Sequence, residues 1–284
     1  MAHARAGDGM GNRMTHWTLD SIAWDKFDPS RVNPDLLNIA KAASLVEANG
    51  GDYGSYLCSV FSDDPEFQDA ARNWALEEVQ HGKALARWAK LADPSFDFDE
   101  AFKRFTDGIK IDTGRTDSIR GSRCGELVAR CIVETGTSSY YSALMDAAEE
   151  PVLKEVCRHI AADEFRHYRL FYQHLKNYLE KEKVGPVKRF IIALSRITET
   201  EDDELAYAYY AANHSGEIYE RRRFVKAYVR RAFGYYRREH LERAVGMSLK
   251  AVGFKPNGLL SRAITSVAVN WLRLRIARLA RAGA

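Results

Sequence analysis

Two short segments hold the residues best suited to chemistry: ALEEVQHG at residues 75–82 and AADEFRHY at residues 161–168. Each places an acid, then a Glu, then a His three positions after that Glu. On an α-helix, positions i and i+3 lie only about 60° apart around the axis. Glu78 with His81, and Glu164 with His167, therefore each present a carboxylate oxygen and an imidazole nitrogen along one edge, a bidentate metal ligand. Chance supplies about 0.1 acid-Glu-x-x-His arrangements in a chain of this composition, so two of them are a signal.

Two further glutamates extend the set. Glu47 in AASLVEANGG and Glu134 in CIVETGTSSYY each sit among small and apolar neighbours in mid-helix. A buried carboxylate without a partner costs several kcal/mol, so four can share one core only if cations neutralise them. Four ionised Glu and two neutral His balance two divalent ions. Oxygen and imidazole donors without a thiolate suit iron or manganese better than copper, and leave iron with open positions for dioxygen.

The elements that must carry these residues are legible from caps and prolines. Asn33-Pro34 opens a helix to about Phe61, Asp64-Pro65-Glu66 one to about Ala92, and Ser122 one to about Ala148. Pro151 starts a fourth that runs to about Lys183. A polar connector from Asp93 to about Ser118 holds the short helix FDEAFKRFTDGI. Apolar positions recur at helical intervals and strand signal is scarce. The predicted fold is all-α: a four-helix bundle over 34–185, after a leader over 1–33 and before a basic helical extension over 186–284. The first 13 residues read as disordered, with Met14 as an alternative start. The extension is predicted to hold one or two helices over 187–217, a long Arg- and Tyr-rich helix at about 218–245, a turn at GFKPNG and a last helix from Leu259.

The helix order Glu, Glu-x-x-His, Glu, Glu-x-x-His over residues 34–183 resembles the ferritin-like di-iron carboxylate superfamily. The segments EEVQHG and ADEFRH are most similar to those of soluble acyl carrier protein desaturases, with looser similarity to rubrerythrins and aldehyde-deformylating oxygenases. The resemblance implies a ferritin-like bundle in which Glu47, Glu78, His81, Glu134, Glu164 and His167 hold two iron ions, or a manganese–iron pair, with Glu78 and Glu164 bridging. It implies that Thr137, one turn after Glu134, supplies a hydroxyl that assists dioxygen activation. It also implies that Asp163 hydrogen-bonds a ligand imidazole, expected to be His81, with Trp17 or Trp24 extending the network. Leu85 stands where ribonucleotide reductase small subunits carry their radical tyrosine. Gly50, Gly51 and Gly54, on the face of Glu47, read equally as space beside the metals and as close packing or a break in the helix. His174 reads as a core or supporting histidine, and the pair His214 and Glu217 as chance.

Composition narrows the classes. With 46% hydrophobic and 29% charged residues the chain has material for a large core, which excludes a disordered or collagen-like protein. Its four cysteines form no C-x-x-C pair, which argues against a disulfide framework or a cysteine zinc site. No run reaches about 18 apolar residues and the N-terminus lacks a signal-peptide core, so a cytoplasmic location is expected. The net charge of +3 hides an asymmetry: from Ile218 onward sixteen Lys and Arg stand against three Glu. That basic third reads as solvated helix faces, or as a dock for an acidic partner or for the surface of an anionic membrane, ahead of nucleic acid. The expected function is a dioxygen-dependent non-haem di-iron oxidoreductase, a desaturase or hydroxylase acting on an apolar, acyl-type substrate, free or carrier-bound. No flavin, haem or iron–sulfur motif is present, so electrons are expected from a ferredoxin or reductase, and the chain is expected to form at most a small oligomer, such as a homodimer. Two other readings stay open: an iron-oxidising or peroxide-scavenging protein, and a non-catalytic helical protein that acts through its basic third.

Overall fold

The computed structural model describes residues 16–200, 204–214 and 216–281; the side chains of 199, 200 and 279–281 are not among those described. The Gly-rich N-terminal stretch and Met14 lie outside the described residues. Among the described residues every regular element is helical.

Four long helical units form the bundle: α1 (Pro34–Ala48) continued by α2 (Gly50–Val60), α3 (Pro65–Ala92), α5 (Arg123–Ala147) and α6 (Pro151–Glu182). A short α4 (Phe98–Gly108) bridges α3 and α5. Each start has a physical cause. Asn33, Asp64 and Ser122 accept hydrogen bonds from first-turn backbone N–H groups, and Pro34, Pro65 and Pro151 fill first helical positions that need no donor. Glu150 caps α6 through the Leu153 N–H (2.7 Å) while also accepting the Trp88 indole N–H (2.7 Å). The predicted helix over 34–61 is interrupted at Asn49, where the backbone leaves helical geometry for one residue.

Pairing runs α1 on α3, α3 on α6 and α6 on α5, with α5 and α6 the most extensive pair. The extension comprises α7 (Pro186–Thr200), α8 (Glu204–Asn213), α9 (Arg221–Ala232), α10 (Arg238–Val252) and α11 (Leu259–Arg281). It packs back on the bundle: α8 and α9 lie on α1, and α7 and α10 lie on α5. The single Arg- and Tyr-rich helix predicted over about 218–245 is two helices. A 3-10 turn at Phe233–Tyr235 separates them, and the Arg237 N–H donates to His240 Nδ1 (3.0 Å) to cap the second.

The buried side chains form two apolar clusters, and the site lies between them. Along α3, Phe67, Ala71 and Trp74 belong to one cluster and Leu85, Trp88 and Ala89 to the other, with Glu78 and His81 in the interval. Along α6, Val156 and Ile160 precede Glu164 and His167, and Phe171 and Leu175 follow them in the opposite cluster. The same change of cluster falls at Glu134 on α5 and at Glu47 on α1. A polar layer held between two apolar caps keeps its donors rigid and water scarce.

Gly82 sets the spacing of that layer. A Cβ there would lie 2.5 Å from the Ala48 backbone nitrogen and 2.8 Å from the Ser44 carbonyl oxygen, so α1 and α3 meet backbone to backbone. Alanine gains about 1 kcal/mol of helix propensity over glycine, but the clash with backbone cannot relax without moving α1. Gly82→Ala is expected to destabilise by about 1–3 kcal/mol net and to weaken metal retention, because Glu47 and His81 flank the contact. Thermal melts and metal analysis of the variant check both.

Candidate metal centre

All six predicted ligands converge. Glu47, Glu78, His81 and Glu164 offer donor atoms within 4.8 Å of one another, and so do Glu78, Glu134, Glu164 and His167. Glu78 and Glu164 belong to both groups. All six side chains are buried.

The donors have only each other to face. Glu47 Oε2, Glu78 Oε1, His81 Nδ1, both Glu134 carboxylate oxygens, Glu164 Oε1 and His167 Nδ1 are buried without a hydrogen-bond partner. Seven orphaned atoms in one spot would be prohibitive in a site built for nothing. Their composition, carboxylate and imidazole without thiolate, fits two hard to intermediate divalent cations such as iron or manganese. Two of the three remaining carboxylate oxygens are engaged: Tyr141 donates its hydroxyl to Glu47 Oε1 (2.5 Å), and Thr137 donates to Glu164 Oε2.

An outer ring fixes the imidazoles. His81 Nε2 lies 3.0 Å from Asp163 Oδ2, which also accepts the Trp17 indole N–H (2.7 Å). His167 Nε2 lies 2.7 Å from Glu77 Oε2. The acid preceding the ligand Glu in each motif thus holds the histidine of the other motif, and points both Nδ1 atoms inward. Arg166 ties the two halves together, donating to Asp163 and to Glu77. Trp24 is outside this network, donating instead to the Leu19 carbonyl oxygen.

The electrostatics follow from burial and crowding. Burial, then the charges of Glu164 and Glu47, pushes the Glu78 carboxyl well above its usual range. Burial with Glu164 beside it pushes Glu134 up to about 8. Burial also acts against Glu164, but the neighbouring imidazoles of His167 and His81 outweigh it and hold that carboxyl well below its usual range. For both histidines burial disfavours the imidazolium, yet the surrounding carboxylates overcome it and raise each well above the ordinary value. Asp163, despite burial, is held at about 2 by His81, Arg166 and Trp17. Without cations this cluster retains protons; with them, the protons have no reason to stay.

Beside the donors lies a cavity of about 270 Å³. Its lining includes Glu47, Glu78, Glu134, Glu164 and Thr137 together with residues of α7, α8 and α9, among them Ile197, Leu205, Tyr228 and Val229. The basic extension is therefore also the wall of the pocket.

Sequence reasoning missed part of this site. Glu77 was visible as the acid before Glu78 but its partner histidine lies on another helix. Tyr141, four residues after Thr137 and seven after Glu134, had only helical periodicity to mark it. Of the three glycines, Gly50 and Gly54 serve close packing, since a Cβ would fall 2.3 Å from Glu78 Cβ and 2.6 Å from Ala75 Cβ respectively, while Gly51 faces open space. Gly50 also lines the cavity. Leu85 is buried core, His174 packs edge-on to the Phe67 ring, and His214 and Glu217 form an exposed surface pair (2.9 Å).

The fatty acid desaturase family matches residues 59–227, more than half of the chain. The chain belongs to the fatty acid desaturase family. That family lies within the ferritin-like di-iron superfamily, in agreement with the buried carboxylate and histidine cluster. The matched span contains both acid-Glu-x-x-His motifs, Glu134 and Thr137. It continues through α7 and α8 into α9, so the desaturase-family region includes helices that wall the cavity. No curated protein matches this desaturase-family chain. Among the described residues no helix is long and apolar enough to cross a membrane.

Proposed function

We propose that this chain is a dioxygen-dependent di-iron oxidoreductase that desaturates or hydroxylates an apolar, acyl-type substrate. The observation that carries the reading is the set of orphaned donor atoms from six residues, opening on a largely apolar cavity. Glu47, Glu78, Glu134, Glu164, His81 and His167 would hold the two ions, which supply dioxygen activation and the one-electron steps of C–H oxidation. The protein's own contribution is placement. Asp163 and Glu77 hold the imidazole N–H groups so that Nδ1 faces inward. Thr137 keeps a hydroxyl proton between Glu164 and the cavity, poised for delivery to reacting oxygen. Tyr140, Tyr228 and Tyr236 line the cavity, where their rings would help to keep bulk water from the site.

A cavity beside the donors favours an organic substrate over iron oxidation or peroxide removal, which need none. Electrons would come from a ferredoxin or reductase, whose acidic face the basic third suits. The test is metal content per chain after purification, then anaerobic Fe(II) loading and an optical record on exposure to dioxygen. About two irons per chain and a transient visible band are expected; a chain that binds no metal ends this reading. Thr137→Val is expected to keep both metals while slowing the optical change about 10²-fold, as stopped-flow absorbance would measure.

A further inference from the structure

One side of the cavity carries a guanidinium that forms no ion pair among the described residues. Arg130, on α5 four residues before Glu134, is only 6% exposed and lines the cavity. Its guanidinium lies against the faces of Tyr53 (5.0 Å to the ring centre) and Trp74 (5.7 Å). No carboxylate among the described residues is within ion-pair distance of it. Glu204, the acid on this side of the cavity, accepts the Tyr53 hydroxyl (2.9 Å), and Arg196 adds a second guanidinium to the same wall. Beside Arg130 is a second unanswered donor. The Trp74 indole Nε1–H is buried without a hydrogen-bond partner, and Trp74 also lines the cavity.

A buried guanidinium lacking a counter-charge is among the costliest groups a core can hold. Two aromatic faces steady the cation but leave its in-plane N–H fork open. A fork of N–H donors with an indole N–H beside it matches a planar anion that accepts along its edge, and a carboxylate has that shape. We propose that the cavity takes its substrate as a free carboxylate, with the acid group seated on Arg130 and Trp74 Nε1–H and the apolar body along the wall of α8 and α9. This deepens the proposed function and rests on it only for the word substrate; the anion site stands on its own residues. Arg130 and Glu134 are separated by one helical turn, so the acid end of the chain, rather than its far end, lies beside the metal donors. At about 270 Å³ the cavity is at the small end of ligand pockets, which suits a medium-chain acid.

The test is calorimetric titration of the full chain with decanoate, methyl decanoate and decanol, in metal-loaded and in metal-free form, anaerobically and without an electron donor. Decanoate is expected to bind about tenfold or more tightly than ester or alcohol in both forms. Arg130→Gln should lose that preference while its affinity for the ester changes by less than about twofold; Arg130→Lys should recover part of it, and Trp74→Phe should lose a few-fold. Melting curves identify any variant that fails to fold, and the lysine and phenylalanine variants then decide. Equal binding of acid and ester, no binding of either, or acid binding that vanishes with the metals and ignores Arg130 overturns the proposal. A metal-free chain that binds decanoate through Arg130, in a protein that shows no dioxygen chemistry, would retain the anion site and reject the oxidoreductase reading.

Discussion

Replacing Glu164 by alanine is expected to take the chain from two bound metal ions to essentially none. Glu164 is fully buried and belongs to both donor groups, so its loss removes one ligand from each ion at once. Losing a mere hydrogen-bonding neighbour of a ligand costs about 10–100-fold in metal affinity; losing a shared ligand should exceed that for both ions. The same carboxylate lies 3.3 Å from His81 Nδ1 and accepts the Thr137 hydroxyl. Its negative charge offsets the two imidazolium groups of the metal-free protein, and removing it leaves buried positive charge uncompensated, a cost of about 3–5 kcal/mol. Glu164→Ala should therefore lower the melting temperature even of metal-free protein. Glu47→Ala, which touches one group alone, should lose one ion preferentially. Metal analysis with parallel thermal melts checks both, and a Glu164→Ala chain that kept two metals would refute the ligand assignment.

The contrast between what the sequence disclosed and what it withheld lies in the range of each interaction. Helix starts at Asn33-Pro34, Asp64-Pro65 and Pro151 are written locally, in caps and prolines, and all three occur where the sequence places them. The Glu-x-x-His edges are local too, because i and i+3 share a helix face whatever surrounds them. Glu77 with His167 is separated by ninety residues; nothing along the chain says which acid meets which imidazole until α3 and α6 are packed. Gly82 has no sequence signature at all, since only the approach of α1 makes its missing side chain necessary. Charge counting along the basic third describes its arginines and lysines, while Tyr228, Val229 and Phe233 of the same segment line the pocket.

The second large effect is on pH, and its sign is set by the same crowding. In the metal-free protein Glu134 titrates at about 8 instead of 4.5, and Glu78 is also raised, because burial and neighbouring carboxylates penalise their ionised forms. An acid whose folded pKa exceeds its unfolded one binds more protons folded than unfolded between the two values, so stability falls as pH rises from about 4.5 to about 8. His81 and His167, raised above 6.5, stabilise the fold while charged, and this contribution also drains away as pH rises through their folded values. Glu164 and Asp163, held low, act on the opposite side: their contribution is present above the ordinary carboxylate range and is lost as pH falls toward 2. Metal-free protein should thus be most stable at mildly acidic pH and lose a few kcal/mol by pH 8. Cations reverse the trend, because they replace the protons of Glu78, Glu134 and both imidazoles, so loading should release up to four protons per chain near pH 6 and stabilise more the higher the pH. Glu134→Gln separates the two roles of the carboxylate. It removes the ionisation penalty while keeping the shape, so the metal-free variant should melt higher than wild type at pH 8, by about 1–3 kcal/mol of stability, and match it near pH 4.5. The same variant should bind one metal poorly. Chemical denaturation of both proteins from pH 4.5 to 8.5, with and without metal, checks the prediction. A metal-free wild type whose stability rises across that range would show that these carboxylates are not crowded, and with it that the cluster is not built around positive ions.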